Sequence, residues 1–495
     1  MRSIALVLGA TLLLLFANGR HTIPMAAWLA PLVLLRFVRV QKPGRGLLVA
    51  WIVLSATWAF QFRGMAPLPG VWYYALAATY GLVLVVPFIA DRILAPRIGG
   101  FAGTLVLPSA WVVVEFAVAG LVPYGSWGSA AYSQHESLVL LQIVSVTGIY
   151  GVSFLIAWTA AVGNWLLDAD WKRREVRTGA AVFTSVVVAV LILGGARLVL
   201  FPPSAETVRV ASLSAPEIDL FPTQEFALRA LNGQLIAEET EEVRRRGGAI
   251  NDDLMERAER EARAGARIVF FGEANAFAFK EDEPELIRRG MELAQTNSIY
   301  LGLAVATWNG ESEKPLENKV LLIDPAGVLR WEFWKAIPVP GMEAAISSLD
   351  DGLIDVTDTP YGKIGGAICF DMDFPNLLEQ AGEQRADLML VPSNDWREID
   401  PWHSHMARLR AVEQGFNMVR HTSKGLSLAA DYQGRVLSSM DHYTTTDRVL
   451  ISQVPTSGTR TIYARIGDSF AWLCVAGLLV LFATGVRSGR SAVVS

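Results

Sequence analysis

Long apolar runs, separated by short charged breaks, occupy residues 1–204 and 466–495 of this 495-residue chain. A bilayer core holds no water to hydrogen-bond the backbone, so only helices and closed barrels cross it, and runs of this length predict spanning helices. The composition agrees, because 52% of the residues are hydrophobic and only 18% are charged. The formal net charge of −5 provides no excess of basic residues, so no nucleic-acid partner is expected.

Eight apolar runs are predicted to span the membrane. A span requires about 20 residues, so the first two runs are short, and the sixth is long enough to begin along the membrane interface before it crosses. The first run has the length of a signal-peptide core, but further apolar runs follow it at once and no small-residue cleavage site is evident. The runs are residues 4–17, 22–35, 47–60, 71–90, 103–121, 138–167, 179–201 and 470–486.

The basic residues between these runs fall mostly on one side of the membrane. With eight spans, thirteen Lys and Arg residues lie on one side, and only Arg20 and Arg63 lie on the other. Cytoplasmic loops are enriched in Lys and Arg, so both termini are predicted to be cytoplasmic and the segment before the last span extracytoplasmic. The thirteen residues are Arg2, Arg36, Arg39, Lys42, Arg45, Arg92, Arg97, Lys172, Arg173, Arg174, Arg177, Arg487 and Arg490.

The segment between the seventh and eighth spans carries most of the charged side chains and is typical of one α/β domain. Short apolar runs predict buried strands, and 3.6-residue periodicity predicts helices. The strands are 208–216, 266–273, 299–307, 363–371 and 386–395, with a hairpin over 318–335 that turns at 324–327; the helices are 252–264, 283–296 and 402–414. The predicted domains are a transmembrane domain of seven spans (1–204), an extracytoplasmic domain (205–465), and a final span with a cytoplasmic tail (466–495).

Three chemically active side chains each close a predicted strand of this domain, where α/β folds display their chemistry. They are Glu273 after "ARIVFFG", Lys335 after "VLRWEFW" and Cys369 after "KIGGAI". A reactive thiolate needs a base to form it and a cation to stabilise it, which the carboxylate and the ammonium could supply. The structural alternatives are a small buried cysteine, a solvated acid at a strand end and a surface lysine. The only other cysteine, Cys474, lies in the last predicted span, so Cys369 has no disulfide partner in an oxidising compartment.

Other chemistries find little support in the motifs. The chain has no H-E-x-x-H and no C-x-x-C, so no metal site is expected, and without a P-loop or G-x-G-x-x-G no nucleotide cofactor is expected. A Cys–His pair formed with His403 or His405 stays open, although no spacing supports it. Glu115 lies inside an apolar span, where a helix-packing hydrogen bond is favoured over a contact with substrate.

The order Glu, Lys, Cys within one α/β domain is similar to that of the nitrilase, or carbon–nitrogen hydrolase, superfamily. Eight spans with this domain inserted before the last resemble one family in it, apolipoprotein N-acyltransferase. Segments inside and outside the spans carry the resemblance: "SAWVVVEF" (109–116), "AAYSQ" (130–134), "LLQIVSVTGIYGVSFLIAW" (140–158), Asn164, "VPSNDW" (391–396), "PWHSHMARLRAVEQG" (401–415), "VRHTSKGLSLAADYQGRVL" (419–437) and "TIYARIGDSFAWL" (461–473). The resemblance implies an αββα sandwich beside a polytopic helical membrane domain.

The resemblance also implies a role for each site residue. Cys369 is the expected nucleophile, Glu273 the general base and acid, and Lys335 the oxyanion stabiliser. Three further residues, Glu343, Phe370 and Asp371, are expected to support them. The family usually has Tyr and Glu where this chain has Phe370 and Asp371, and the loop after the lysine, "AIPVPGME", departs from the family pattern. Asp373 is expected to be solvated or to cap a helix that begins near Pro375.

The implied reaction moves an acyl chain from a phospholipid to the N-terminal amine of a diacylated apolipoprotein, through a thioester on the enzyme and without a cofactor. The implied location is the inner membrane, with the catalytic domain on its periplasmic side and membrane lipid as a further partner. The alternatives are a membrane-bound nitrilase-type amidase or hydrolase, an N-acyltransferase with another amine acceptor, and an inactive lipoprotein-binding protein. Water exclusion from the thioester would separate the transferase from the hydrolase.

Overall fold

The chain forms two compact units in the computed structural model, which describes residues 2–204, 206–216, 218, 220, 223–231 and 234–491. Unit 1 joins Met1–Pro202 to Thr461–Ser495, and unit 2 is Pro203–Arg460. Residues 492–495 of the predicted cytoplasmic tail lie outside the described residues.

The first part of unit 1 is helical throughout. Its sequence supports this locally: Pro24 and Pro43 stand in the first turn of their helices, where a missing N–H costs nothing, and Gly99 ends the longest helix with φ +69°. The helices are α1 (Arg2–Leu15), α2 (Pro24–Val40), α3 (Pro43–Gln61), α4 (Val71–Ile98), α5 (Val106–Leu121), α6 (Leu138–Leu141), α7 (Val144–Thr147), α8 (Tyr150–Asp168) and α9 (Arg174–Leu200).

Unit 2 alternates strands and helices. Its strands are β1 (Thr207–Leu213), β2 (Ile268–Phe271), β3 (Ala276–Phe279), β4 (Tyr300–Trp308), β5 (Leu316–Ile323), β6 (Leu329–Trp334), β7 (Val356–Thr359), β8 (Gly362–Gly366), β9 (Leu388–Asn394), β10 (Asn417–Ser423), β11 (Leu426–Ala430), β12 (Val436–Asp441) and β13 (Val449–Pro455). Its helices are α10 (Gln224–Leu231), α11 (Ala237–Arg263), α12 (Glu283–Asn297), α13 (Met342–Ile346), α14 (Pro375–Glu383) and α15 (Trp402–Gln414). The chain then returns to unit 1 as α16 (Tyr463–Ile466) and α17 (Ser469–Ser491).

The strands of unit 2 form two stacked sheets. One has the order β13-β1-β2-β4-β5-β6, with β3 beside β4, and the other has the order β12-β11-β10-β9-β8-β7. Helices α11 and α12 pack on the first sheet and α15 packs on the second. The sheets meet closely at Gly302, where an added Cβ would lie 2.6 Å from Phe270 Cβ and 3.5 Å from Leu390 Cδ1. The αββα sandwich implied by the resemblance is therefore confirmed.

Most predicted elements of unit 2 are present, and two need correction. The hairpin over 318–335 is confirmed, since β5 and β6 pair antiparallel across a turn at Asp324. The predicted strand 363–371 ends at Gly366, and Cys369–Asp373 form a 3₁₀ turn instead. The predicted helix 252–264 begins at Ala237, because Glu–Arg pairs such as Glu242–Arg246 (2.6 Å) stabilise a first half that contains glycines.

Among the described residues, six helices are long and apolar enough to cross a membrane. They are Pro43–Gln61, Val71–Ile98, Ala102–Leu121, Tyr150–Asp168, Arg174–Leu200 and Ser469–Arg487; Ser3–Leu15 and Leu138–Thr147 are shorter apolar helices. The count of eight spans therefore stays a prediction. The long sixth run is broken at Gly148, which has φ +62° and leaves no space for a Cβ, since one would lie 2.7 Å from the Tyr463 ring.

Glu115 holds helices of unit 1 together. Its carboxylate accepts hydrogen bonds from Trp111 Nε1 (2.9 Å), Ser153 Oγ (2.6 Å), Ser129 Oγ (2.8 Å) and the Ala130 N–H (2.9 Å). Donors from α5, from α8 and from the segment between them satisfy both oxygens. This arrangement supports the packing role favoured for this acid, because an intramembrane carboxylate needs such partners.

Candidate active site

Glu273 lies just beyond the end of β2, with 4% of its surface exposed. Its Oε1 accepts hydrogen bonds from Lys335 Nζ (2.8 Å) and Asn318 Nδ2 (2.8 Å). Its Oε2 is also buried and has no hydrogen-bond partner among the described residues. The carboxylate is thus fixed through one oxygen, and the other is available to accept a proton. The reading of Glu273 as a solvated acid is wrong.

Lys335 follows β6 and is 4% exposed, so it is not a surface lysine. Its Nζ donates to Glu273 Oε1 and, at 2.6 Å, to Glu343 Oε1. Burial lowers the pKa of the amine, but the charges of Glu273, Cys369 and Glu343 outweigh it and hold that pKa well above its usual range. An ammonium has three N–H donors, so one remains for a substrate oxygen.

Cys369 begins the 3₁₀ turn that follows β8 and is 2% exposed. Its φ of +48° lies in the left-handed region that residues with a Cβ rarely adopt, and such strain is frequent at functional sites. Burial first, and then the charge of Glu273, raise the pKa of the thiol well above its usual value, while Lys335 lowers it. The resting sulfur therefore carries its proton, and a nucleophilic attack requires a base.

Asp371 and Glu343 connect the segments that carry the nucleophile and the lysine. Asp371 accepts the Ile337 N–H at Oδ1 (2.9 Å) and the Ile368 N–H at Oδ2 (3.0 Å). Glu343 accepts the Val339 N–H at Oε2 (2.9 Å) in addition to Lys335. Burial raises the pKa of Asp371 to about 7, although Lys335 and the two backbone N–H groups oppose this shift.

Phe370 and Asp373 complete the turn, in which all five residues are buried. Phe370 packs edge-to-face on Phe374, with ring centroids 5.2 Å apart. The expectation that Asp373 is solvated or caps a helix is wrong: the residue is fully buried, and the N-cap position of α14 is Phe374, without a side-chain cap. Because the tight turn directs the side chain inward, Asp373 Oδ2 lies 3.0 Å from His403 Nε2.

The sequence analysis missed Asp395 and Arg420. Asp395 follows β9 and lies beside the thiol, with Oδ1 3.9 Å from Cys369 Sγ. The rule that selected Glu273 and Lys335, a polar side chain closing a buried strand, would also have selected Asp395. Arg420 lies within β10 and gave no such signal, because a central strand rarely holds a buried guanidinium.

Neither histidine forms a Cys–His pair, since the sulfur's hydrogen-bond contact among the described residues is with Asp395. Ligand atoms of Cys369, Asp395 and His403 lie within 4.8 Å of one another, a spacing that a metal ion could use. However, Arg420 Nη2 lies 2.8 Å from both Asp395 Oδ1 and His403 Nδ1. A guanidinium already supplies positive charge at that position, so these donors fit a metal poorly.

Two family models match this chain: the apolipoprotein N-acyltransferase N-terminal domain over residues 8–162, and carbon-nitrogen hydrolase over residues 232–464. A relative named apolipoprotein N-acyltransferase, from Geobacter metallireducens, is 27% identical, over 78% of this chain and 75% of its own. Another relative of the same name, from Rickettsia typhi, is 24% identical over 75% of this chain and 74% of its own. A solved Nesterenkonia AN1 amidase from the nitrilase superfamily, a cysteine-to-alanine mutant, is 17% identical with TM-score 0.41, over 54% of this chain and 96% of that one. The first matched range lies in unit 1, and the second covers most of unit 2.

Proposed function

The chain belongs to the apolipoprotein N-acyltransferase family and is an acyltransferase of lipoprotein maturation, and we propose that Cys369 carries the acyl group during transfer. The donor is a phospholipid, and the acceptor is the N-terminal amine of a diacylated apolipoprotein. One observation supports this most strongly: a buried thiol, a buried lysine and a carboxylate with one oxygen unpaired among the described residues interact just beyond the ends of β8, β6 and β2.

The first half-reaction loads the enzyme. Glu273 Oε2 accepts the thiol proton while Cys369 Sγ attacks the carbonyl carbon of the phospholipid ester. The third N–H of Lys335 donates to the oxygen on which negative charge develops. When the intermediate collapses, the ester C–O bond breaks, and Glu273 returns the proton to the leaving oxygen. The products are a lysophospholipid and a thioester on Cys369.

The second half-reaction transfers the chain to the lipoprotein. The N-terminal amine attacks the thioester carbon and loses a proton to Glu273. The C–S bond breaks, the sulfur recovers the proton, and the product is an amide. Splitting amide formation into two acyl transfers avoids direct attack of an amine on a stable ester. Lys335 stays protonated in both halves because the neighbouring carboxylates hold its pKa high.

Intact-mass analysis of the purified protein tests this proposal. Incubation with phospholipid should add the mass of one fatty acid minus one water. A diacylated lipopeptide, added next, should remove that mass and gain it as an amide. A hydrolase would instead release free fatty acid and leave the lipopeptide unchanged. A protein that never gains mass and still binds the lipopeptide would be an inactive lipoprotein-binding protein.

We also propose the topology. The chain is a membrane protein with several long apolar helices. Lys and Arg are concentrated in every second segment between the predicted spans. This distribution supports an inner-membrane orientation with both termini cytoplasmic and residues 205–465 periplasmic. A phospholipid donor and an exported lipoprotein acceptor are both available on that side.

Cysteine labelling checks this orientation. In a background without Cys369 and Cys474, Glu311→Cys places a thiol on an exposed position of unit 2, and Lys172→Cys places one between α8 and α9. A membrane-impermeant maleimide should label the first variant in intact spheroplasts and the second only after lysis. The reverse pattern would overturn the orientation. Labelling of both variants in the intact cells would show that the membrane had leaked, and the lysis control would then be repeated.

A further inference from the structure

Four charged side chains form a buried cluster next to the candidate nucleophile: Asp373, Asp395, His403 and Arg420. Each is at most 3% exposed. Removing four ionisable groups from water is costly unless their charges are paired and hydrogen-bonded. This charge cluster meets that condition, because two carboxylates face two groups that can be cationic.

His403 lies between two carboxylates and the guanidinium of Arg420, whose Nη2 is 2.8 Å from Nδ1. Its Nδ1 lies 2.8 Å from Asp395 Oδ1, and its Nε2 lies 3.0 Å from Asp373 Oδ2. A neutral imidazole has a single N–H, so only the doubly protonated ring can donate to both carboxylates. Burial and Arg420 lower the pKa of His403, but Asp373 and Asp395 outweigh them and raise it to about 9. The two carboxylates therefore favour the imidazolium form of His403 at neutral pH, which has no lone pair with which to act as a base.

Arg420 holds Asp395 from a second direction. Its Nη1 lies 3.0 Å from Asp395 Oδ2, and its Nη2 lies 2.8 Å from Oδ1. This two-pronged pairing fixes the plane of the carboxylate more strictly than one hydrogen bond would. Asp395 Oδ1 then lies 3.9 Å from Cys369 Sγ, within reach of an S–H donor. The position of this oxygen is thus set by His403 and Arg420.

We propose that Asp395, held by His403 and Arg420, is a positioning residue for the Cys369 thiol, and that His403 serves it as a fixed cationic partner. This inference rests on the assignment of Cys369 as the nucleophile. In the resting enzyme the S–H group of Cys369 donates a hydrogen bond to Asp395. When the acyl donor binds, the S–H bond must rotate so that its proton faces Glu273 Oε2. The two cations offset the two carboxylates, so the sulfur can become negative during attack.

The charges that face the sulfur make the proposal measurable. Burial, Glu273 and Asp395 raise the pKa of the thiol, while Lys335 and Arg420 lower it. Asp395→Asn removes a negative charge and leaves Arg420, so the thiol should ionise more readily. His403→Gln removes a positive charge and leaves both carboxylates, so the thiol should ionise less readily. A purely structural cluster predicts another result, because loosening the core would expose the buried thiol in both variants.

The experiment measures the rate of iodoacetamide alkylation against pH in the full-length protein with Cys474→Ala, so that Cys369 is the only thiol. At pH 8, Asp395→Asn should react about tenfold faster and His403→Gln about tenfold slower than the parent, since one nearby charge shifts a pKa by at least about one unit. Asp324→Asn is the matched control, because Asp324 is also a buried acid (4% exposed) and accepts a hydrogen bond from an arginine, Arg330 (2.6 Å). It removes a buried charge at the turn that precedes β6, whereas Lys335 follows that strand, so its rate should stay within about threefold of the parent.

Opposite changes in the two variants support the proposal, and equal changes or none overturn it. If one variant fails to fold, as judged by its thermal transition, the rate of the other variant, compared with that of Asp324→Asn, decides alone. Alkylation needs no acyl donor, so this result is separate from the proposed function. Opposite shifts in a protein that never forms an acyl-enzyme would leave this inference standing and remove the transferase assignment.

Discussion

Cys369→Ala is expected to abolish both the acyl-enzyme and acyl transfer while the protein stays folded. The variant loses the sulfur that forms the thioester, and the alanine side chain has no nucleophilic atom to replace it. The cost in stability should be modest, about 1 kcal/mol, because one small buried group is removed. The measurement is the intact-mass experiment, together with the thermal transition in detergent.

The other cysteine provides the matched control. Cys474 is also buried and lies in α17, in the other unit. Cys474→Ala removes the same atom and should keep acyl-enzyme formation at the wild-type level. Wild-type transfer by Cys369→Ala would reject the nucleophile assignment. Loss of transfer in both variants would show that cysteine removal acts through stability and not through chemistry.

Glu273→Gln is expected to reduce acyl-enzyme formation by about 10²–10⁴-fold, the range that general-base catalysis contributes. The thiol of Cys369 has a raised pKa, so it stays protonated unless a base takes its proton as it attacks. Glutamine keeps the shape of the side chain and an oxygen for Lys335 and Asn318, but it cannot accept a proton. Single-turnover mass analysis gives the rate of the first half-reaction directly.

A control substitution at a second buried acid of unit 2 shows whether the acylation rate falls simply because a buried acid–lysine pair is lost. Glu283 is 6% exposed, pairs with Lys319 and lies 3.1 Å from Lys280. Glu283→Gln should lower the thermal transition about as much as Glu273→Gln and keep the acylation rate within about threefold of the wild type. Equal rate losses in both variants would remove the case for Glu273 as the base.

The departures from the family pattern occur where the structure leaves room for them. Phe370 packs edge-to-face on Phe374, a contact that the ring of a tyrosine could also make. Asp371 is a shorter acid than the usual glutamate, yet its carboxylate reaches two backbone N–H groups. The same two contacts join the nucleophile's turn to the altered loop after Lys335. We therefore expect the changed residues to preserve the positions of the reacting groups.

The sequence by itself determined the architecture. Long apolar runs predict membrane-spanning helices, which separated unit 1 from the charged segment. Strand-length apolar runs indicated the buried strands of unit 2, and the family resemblance carried by the order of Glu273, Lys335 and Cys369 implied the chemistry. These features depend on the order of apolar and polar residues over short stretches of the chain, which the sequence shows directly. The exception was the first half of α11, where glycines and charges concealed a helix that Glu–Arg pairs stabilise.

Only the tertiary structure decided which groups meet around the sulfur. Asp373, Asp395, His403 and Arg420 come from a turn, a strand end, a helix and a second strand, and no spacing in the sequence relates them. The sequence suggested that Asp373 was solvated and left His403 open as a base. Both interpretations changed once the structure showed that these side chains are buried. An unpaired buried charge is costly, so each ionisable group is paired with a charged group from another part of the fold. Which partner it found depends on the stacking of the second sheet against α15, and that stacking is a property of the assembled core.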